Sequence, residues 1–123
     1  TLEYLRGEGY ECGIAEHWNA FTKQRYDLFG FIDIVALAPG TGALAVQACG
    51  ADWGSHVRKL QGERAGIVLL WLQCGNPAQL IGWRKKKALK KDGTKSKASI
   101  WVPRIADLCI SAVDSGFEIV ERD

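Results

Sequence analysis

Asp33 is the only charged residue in the apolar run Phe31 to Leu37, and Gln47 is the only strongly polar residue in the run Ala43 to Cys49. An aspartate among apolar neighbours is costly to bury unless a partner satisfies it. Between the runs, Ala38-Pro39-Gly40-Thr41-Gly42 is a turn-forming cluster of the length a β-hairpin uses. Period-two alternation puts Asp33, Val35 and Leu37 on one face of the first strand, and Ala43, Ala45, Gln47 and Cys49 on one face of the second. Symmetric closure then opposes Leu37 to Ala43, Val35 to Ala45 and Asp33 to Gln47. Opposed Cβ atoms lie about 4.5–5.5 Å apart, near enough for a carboxylate and an amide oxygen to share one cation. A slip of one residue moves one of the two to the other face and abolishes the site. Two readings of Asp33 stand at this point: a cap on a neighbouring backbone group, or a metal ligand. Hard oxygen donors of this kind suit Mg²⁺ or Mn²⁺.

The elements around the hairpin supply further candidates. Leu2 and Leu5 suit the last turns of an amphipathic helix stopped by Gly7 and Gly9. Tyr10 to Trp18 reads as a strand, with Glu16 on the face of Tyr10, Cys12 and Ile14. Glu16 is therefore a candidate third acid, with a surface strand-end glutamate as the alternative. His17, with no histidine nearby, reads as a surface residue, and Asn19 to Tyr26 reads as polar loop. Asp27 reads as a cap of the turn at Gly30, or else as a carboxylate supporting the site from behind. After Gly50 and Asp52, the spacing of Trp53, Val57 and Leu60 predicts a helix that carries Arg58 and Lys59 beside its buried stripe, with His56 on its surface. A second helix is predicted from Glu63 to Cys74, ended by Gly75-Asn76-Pro77.

Ala78 to Lys86 and Ser99 to Ile105 read as an antiparallel pair with a long lysine-rich tip and a turn at Asp92-Gly93. Pro103 marks the second of them as an edge strand. Ala106 to Asp123 stays open between strand and short helix. The net charge of +2 conceals an asymmetry: Arg84 to Lys97 holds eight basic residues and one acid, a net of +7, and the rest of the chain a net of −5. Such a block is either a solvated loop or the footprint of phosphate binding by Arg84, Lys85, Lys86, Lys87, Lys90 and Lys91.

At 123 residues, 47% of them hydrophobic and 24% charged, the chain is expected to form one ordinary globular domain. Its longest clean apolar stretch, Ala65 to Leu72, is too short to span a membrane, and the cytoplasm is the expected compartment. Cys12, Cys49, Cys74 and Cys109 form no CxxC pair, which disfavours zinc and suggests small buried residues. Methionine is absent and Thr1 falls inside the first helix, so further residues are expected upstream.

Asp33 followed after thirteen residues by Gln47-Ala48-Cys49 resembles the D…(D/E)xK arrangement of the PD-(D/E)XK nuclease superfamily, especially its small Holliday-junction-resolvase-like and phage-type members. Leu5-Arg6-Gly7-Glu8-Gly9-Tyr10, Asp27 to Asp33, Arg58-Lys59 and Ile81-Gly82-Trp83-Arg84 follow in matching order, so that the resemblance spans roughly Thr1 to Ile105. It implies a restriction-endonuclease-like α/β domain over residues 1–123, with a central mixed sheet flanked by helices. It also implies a Mg²⁺-dependent (or Mn²⁺-dependent) endodeoxyribonuclease of phage or mobile-element type, with branched or otherwise structured DNA as substrate and a homodimer as the working form. Metal ligands would be Asp33, Gln47 and the Ala48 carbonyl; Asp33, Gln47 and Glu16 would form the catalytic set. The chain departs from the family pattern at Gln47, where an acid is usual, and at Cys49, where a lysine is usual. Lys59 or Arg58 would then have to bring a cation into the site from the following helix. A further acid is commonly found at the start of the first helix in such nucleases. Two other classes compete: a decayed nuclease fold that binds nucleic acid without cutting it, and a subunit whose tryptophan-rich hairpin serves oligomerisation while the lysines keep it soluble.

Overall fold

The computed structural model describes residues 1–122, without the side chain of Ser96. Its elements are α1 (Leu2–Gly7), β1 (Glu11–Ile14), β2 (His17–Asn19), β3 (Gln24–Tyr26), β4 (Ile34–Ala38), β5 (Gly42–Ala48), α2 (Trp53–Gln61), α3 (Ala65–Gln73), β6 (Ala78–Leu89), β7 (Lys95–Ile110) and β8 (Phe117–Glu121). Six strands form one mixed sheet in the order β1-β4-β5-β6-β7-β8. Its only parallel pair among the described residues is β5–β6, and the connection between those two strands carries α2 and α3. Strands β2 and β3 form a separate two-stranded hairpin. The result is an α/β protein with few helices. Among the described residues no helix is long and apolar enough to cross a membrane.

Alternation along β5 sorts the core into two layers. Leu44 and Val46 join Leu5 of α1 with Ile34, Ala36, Ile81 and Ile105. Ala45 and Cys49 face the other way, with Leu60 of α2, Val68 and Leu72 of α3, Leu80 and Leu108. Small residues at Ala45, Ala78 and Ala106 on this second face let the helices approach the sheet.

The central hairpin forms in the expected register, Leu37 opposite Ala43 and Val35 opposite Ala45. Its first strand starts later than the apolar pattern suggests. Phe31 and Ile32 are buried, but they belong to a tight turn closed by a Leu28–Ile32 bridge, with Phe29 and Gly30 at positive φ. The arginine side chain of Arg64 lies so close to Gly30 that an added Cβ would meet it at 2.6 Å. Tyr10 to Trp18 is not one strand either: the chain leaves the sheet after Ile14 and re-enters β structure at His17. Asn19 to Tyr26 completes a hairpin rather than a loop. The Asn19 side chain accepts from the Phe21 and Thr22 amides, which folds a turn that leaves Phe21 99% exposed.

The basic segment is strand for most of its length, since β6 runs to Leu89 and β7 starts at Lys95. Asp92 holds the turn by accepting from the Thr94 amide and hydroxyl. Strand β7 is internal where Ala106 to Ile110 pair with β8, but Pro103 lies beyond that pairing and so occupies the part of β7 that has β6 alone as its neighbour. The open stretch after Ala106 thus resolves into the end of β7 and β8, with Asp123 outside the described residues. Of the four free cysteines only Cys49 is buried; Cys12 is half-buried, and Cys74 and Cys109 are exposed.

Gly82 lies under the first residue of α2. A Cβ there would lie 2.9 Å from Trp53 Cε3 and 3.1 Å from Cys49 Sγ. Gly82→Ala is therefore expected to lower stability by about 1–3 kcal/mol in chemical denaturation, through overpacking. Gly66→Ala, in α3 with nothing within 4 Å of the new methyl group, is expected to raise it by about 0.5–1 kcal/mol.

Candidate functional site

Two antiparallel registers converge at one end of the sheet. The β4–β5 pairing ends at Ile34 opposite Val46, and just beyond it the Asp33 and Gln47 side chains meet. The β2–β3 pairing ends at His17 opposite Tyr26, and just beyond it Glu16 and Asp27 come together. The backbone of Asp33 ties both neighbours together, its N–H donating to the Val46 carbonyl at 2.9 Å and its carbonyl accepting from the Ala15 amide at 2.8 Å. As a result Glu16, Asp27 and Asp33 each place a carboxylate oxygen within 4.8 Å of the others. They line a cleft of about 390 Å³ together with Gln47, Ala48 and His56, with Leu2 and Ile14 among the apolar residues of its wall.

Asp33 Oδ2 accepts from the Ala48 amide at 2.8 Å and from Gln47 Nε2 at 2.6 Å. The first reading of this residue thus describes one of its bonds, a cap on a backbone N–H, and the same carboxylate stands in an acidic cluster. Gln47 is 3% exposed and acts as a bridge. Its Nε2 faces Asp33 and, at 3.4 Å, Asp27, while its Oε1 accepts from Lys59 Nζ at 2.9 Å. The amide thus presents its nitrogen, not its oxygen, to the carboxylates, and its role in this geometry is to link the acids to the lysine. Lys59 Nζ also donates to Asp27 Oδ2 at 3.2 Å. Arg58, one residue earlier on α2, stays exposed and outside this network. Ala48 lines the cleft, and its extended backbone directs N–H and C=O to the same side, the side on which Asp33 lies. Glu16 Oε1 is paired with Arg25 across the small hairpin at 3.2 Å.

Burial, followed by the hydrogen bond with Asp27, pushes the Asp33 carboxyl up to about 7, against the Ala48 amide and the Gln47 side chain, which pull it down. Burial pushes Asp27 upward too, but its hydrogen bonds with Asp33 and Lys59 outweigh burial and hold it below the usual carboxylate range. The pair therefore keeps one proton, on the Asp33 side, up to neutrality. Cys49 contributes no charge: burial raises its thiol to about 11, and it packs in the core beside α2.

Asp27 meets the second of its two sequence readings more closely than the first, and His56 departs from its own. Asp27 does take part in the turn, its main-chain carbonyl accepting from the Gly30 amide, but its side chain turns into the cleft. His56 was expected on the helix surface; it lines the cleft with Nδ1 buried and without a hydrogen-bond partner, and with Nε2 3.3 Å from Asp52. The signal that could have located Asp27 was the β-prone pairing of His17-Trp18 with Arg25-Tyr26 around an asparagine turn.

Arg84, Lys85, Lys86, Lys87, Lys90 and Lys91 are all exposed. Pairing of β5 with β6 ends at Ala48 opposite Ile81, and β6 continues to Leu89, about 27 Å further at the usual rise. Because β5 and β6 are parallel, this basic arm projects from the same end of the sheet as the acidic cleft. Trp83 packs on Tyr4 of α1 at 6.0 Å, whereas Trp101 is largely exposed beneath Lys85.

The titration of the pair has a definite sign. Asp33 has a folded pKa above its unfolded value of about 4, so its contribution to stability is fully present below pH 4 and is lost as pH rises toward 7. Asp27 works in the opposite sense, its contribution being lost as pH falls below 4. Metal-free protein is expected to lose stability in urea between pH 5 and 7.5, and Asp33→Asn to flatten that slope. A slope unchanged by Asp33→Asn would place the titration elsewhere.

No protein-family model matches the chain, and no curated protein or solved structure matches it either.

Proposed function

We propose that the chain is a metal-dependent deoxyribonuclease with a restriction-endonuclease-like core, acting on branched or otherwise structured DNA as a homodimer. The observation that carries the reading is the position of Lys59. It reaches from α2 to Asp27 and Gln47, and so brings an ammonium to the acids in a chain whose Cys49 offers none. The β4–β5 hairpin followed by a helical connection to a parallel β6 supports it as well, being the order of elements that the sequence resemblance implies.

The donor chemistry fits a hard divalent cation. Ligands around Mg²⁺ at 2.0–2.1 Å stand at most about 4.2 Å apart, so carboxylate oxygens within 4.8 Å need only a small contraction. Asp33, Asp27 and Glu16 would hold the ion, with the Ala48 carbonyl as a further donor. When bound, it supplies Lewis acidity toward a phosphate oxygen and acidifies water. The chain's own residues do the rest. Lys59 Nζ places positive charge where charge develops on the phosphoryl group, the kind of term whose loss lowers a rate about 10²–10³-fold. Gln47 fixes the Lys59 and Asp33 side chains relative to each other. The exposed basic arm holds the phosphate backbone without reading sequence.

A second reading is favoured by one feature. The cluster is partly neutralised from within, by Lys59 on Asp27 and by the Gln47 amide on Asp33, which is also what a nucleic-acid-binding module with a decayed site would show.

Branched, nicked and linear DNA incubated with Mg²⁺, Mn²⁺ or chelator separates the two. Cation-dependent cutting is expected, with a preference for branched DNA. Asp33→Asn is expected to lower it by at least about 100-fold while binding persists, and Lys59→Ala to lower it about 10²–10³-fold, with Arg58→Ala close to the parent. Salt-sensitive binding without any cutting would support the binding module instead. With about four to six phosphate contacts, log affinity should fall against log salt with a slope of about −4 to −5, made shallower by about 2–3 when Lys85, Lys86 and Lys87 are all replaced by alanine. A slope unaffected by that triple replacement would remove the arm from the interface.

A further inference from the structure

Three of the five tryptophans, Trp53, Trp83 and Trp101, line one cavity of about 310 Å³, and Arg84, Lys85 and Arg104 line it with them. The cavity lies where β5 stops and β6 runs on without it. Gly50 and Ala51, just beyond β5, form the remaining wall. Trp83 is fixed by the hydrogen bond from its Nε1 to Thr1 Oγ1 at 3.0 Å and by its edge contact with Tyr4. Trp53 is covered by the Arg104 guanidinium, 4.2 Å from its ring centroid, and that guanidinium is itself paired with Glu121. Trp101 differs from both. It is 60% exposed, and its ring is covered only loosely by Lys85 Nζ at 5.1 Å. No acid among the described residues forms an ion pair with Arg84 or Lys85.

We propose that this cavity receives an unpaired nucleobase stacked on Trp101, with Arg84 and Lys85 on the adjoining phosphates. An open indole face beside unpaired cations is the combination by which single-stranded nucleic acid is held, base on ring and phosphate on cation. Lys85 is the side chain a base would displace, and its flexible stem lets the ammonium move from the ring to a phosphate. The location ties this cavity to the acidic cleft, because Ala48 lines the cleft while Gly50 and Ala51 line the cavity. Two to three residues of chain span at most about 7–10 Å, no more than two or three stacked nucleotide steps of about 3.4 Å. For its link to cleavage, the inference rests on the nuclease reading and deepens it: the substrate carries an unpaired base within a few nucleotides of the bond that is cut, as at a flap, a gap or a branch point. The binding part stands without that reading.

The test uses tryptophan fluorescence of the intact chain in chelator, titrated with an eight-nucleotide thymidine oligomer and with a duplex of equal length. Saturable quenching by the single strand, stronger than by the duplex, is expected. Trp101→Ala should weaken single-strand binding roughly 5- to 150-fold, and Trp101→Phe should restore most of it. Binding by Trp101→Ala equal to that of the parent chain, or equal quenching by duplex and single strand, would overturn the proposal. Cleavage assays keep the two readings apart. If the parent chain cuts no DNA yet Trp101 governs single-strand binding, the base cavity stands and the nuclease reading falls. If it cuts branched DNA while Trp101→Ala binds the single strand as the parent does, the base cavity falls alone.

Discussion

The carboxylate of Asp33 sits where apolar strands would otherwise meet, and a charge in that place must be satisfied or neutralised. Here both happen. The Ala48 amide and the Gln47 side chain donate to one oxygen, while burial and the neighbouring Asp27 keep a proton available for the pair. The contacts of Gln47 and Lys59 follow from satisfying this one group. Gln47, buried beside it, turns its oxygen outward to Lys59, and Lys59 in turn reaches Asp27. A water-filled surface would tolerate any arrangement of these side chains, but the half-buried end of the sheet tolerates very few.

The placement of the acids is a matter of register. Two hairpins, one in the main sheet and one outside it, meet at one end of the sheet, and each contributes two neighbouring polar residues to the site just beyond its last pair. A one-residue slip in either would send an acid to the far face. The main hairpin is held by buried side chains on both faces, and the small one by its asparagine turn and the stacking of His17 on Tyr26. The parallel β5–β6 pair then sets the direction of the basic arm. The geometry therefore joins an acidic cleft, a tryptophan cavity and a row of cations along one end of the molecule.

Much of this was legible in the sequence. Asp33 and Gln47 stood out because a polar residue in an apolar strand has few explanations, and period-two alternation with a five-residue turn fixed their register. Lys59 was legible as a candidate because helical spacing put it beside the buried stripe of α2, although the same spacing admitted Arg58 equally. Asp27 was legible only as one of two alternatives, because turn chemistry around Gly30 explained it adequately, and the β2–β3 hairpin that orients it is too short and polar for periodicity to reveal. His56 was hidden because its helix has a polar face, and only the fold shows that this face looks into the cleft. The start of β4 was misplaced for a related reason: Phe31 and Ile32 are core residues reached through a turn, and burial without extension looks the same as a strand in composition.

Asp33, Asp27 and Glu16 are expected to act together as one cation-holding group. The most direct measurement is a Mn²⁺ titration of the chain at pH 8, followed by the electron paramagnetic resonance signal of the free ion. One saturable site per chain is expected, weakened at pH 5.5 by competition with the shared proton and lost when Asp27 and Asp33 are both replaced by asparagine. Equal Mn²⁺ uptake by that double variant, or no saturable uptake by the parent chain, would contradict it.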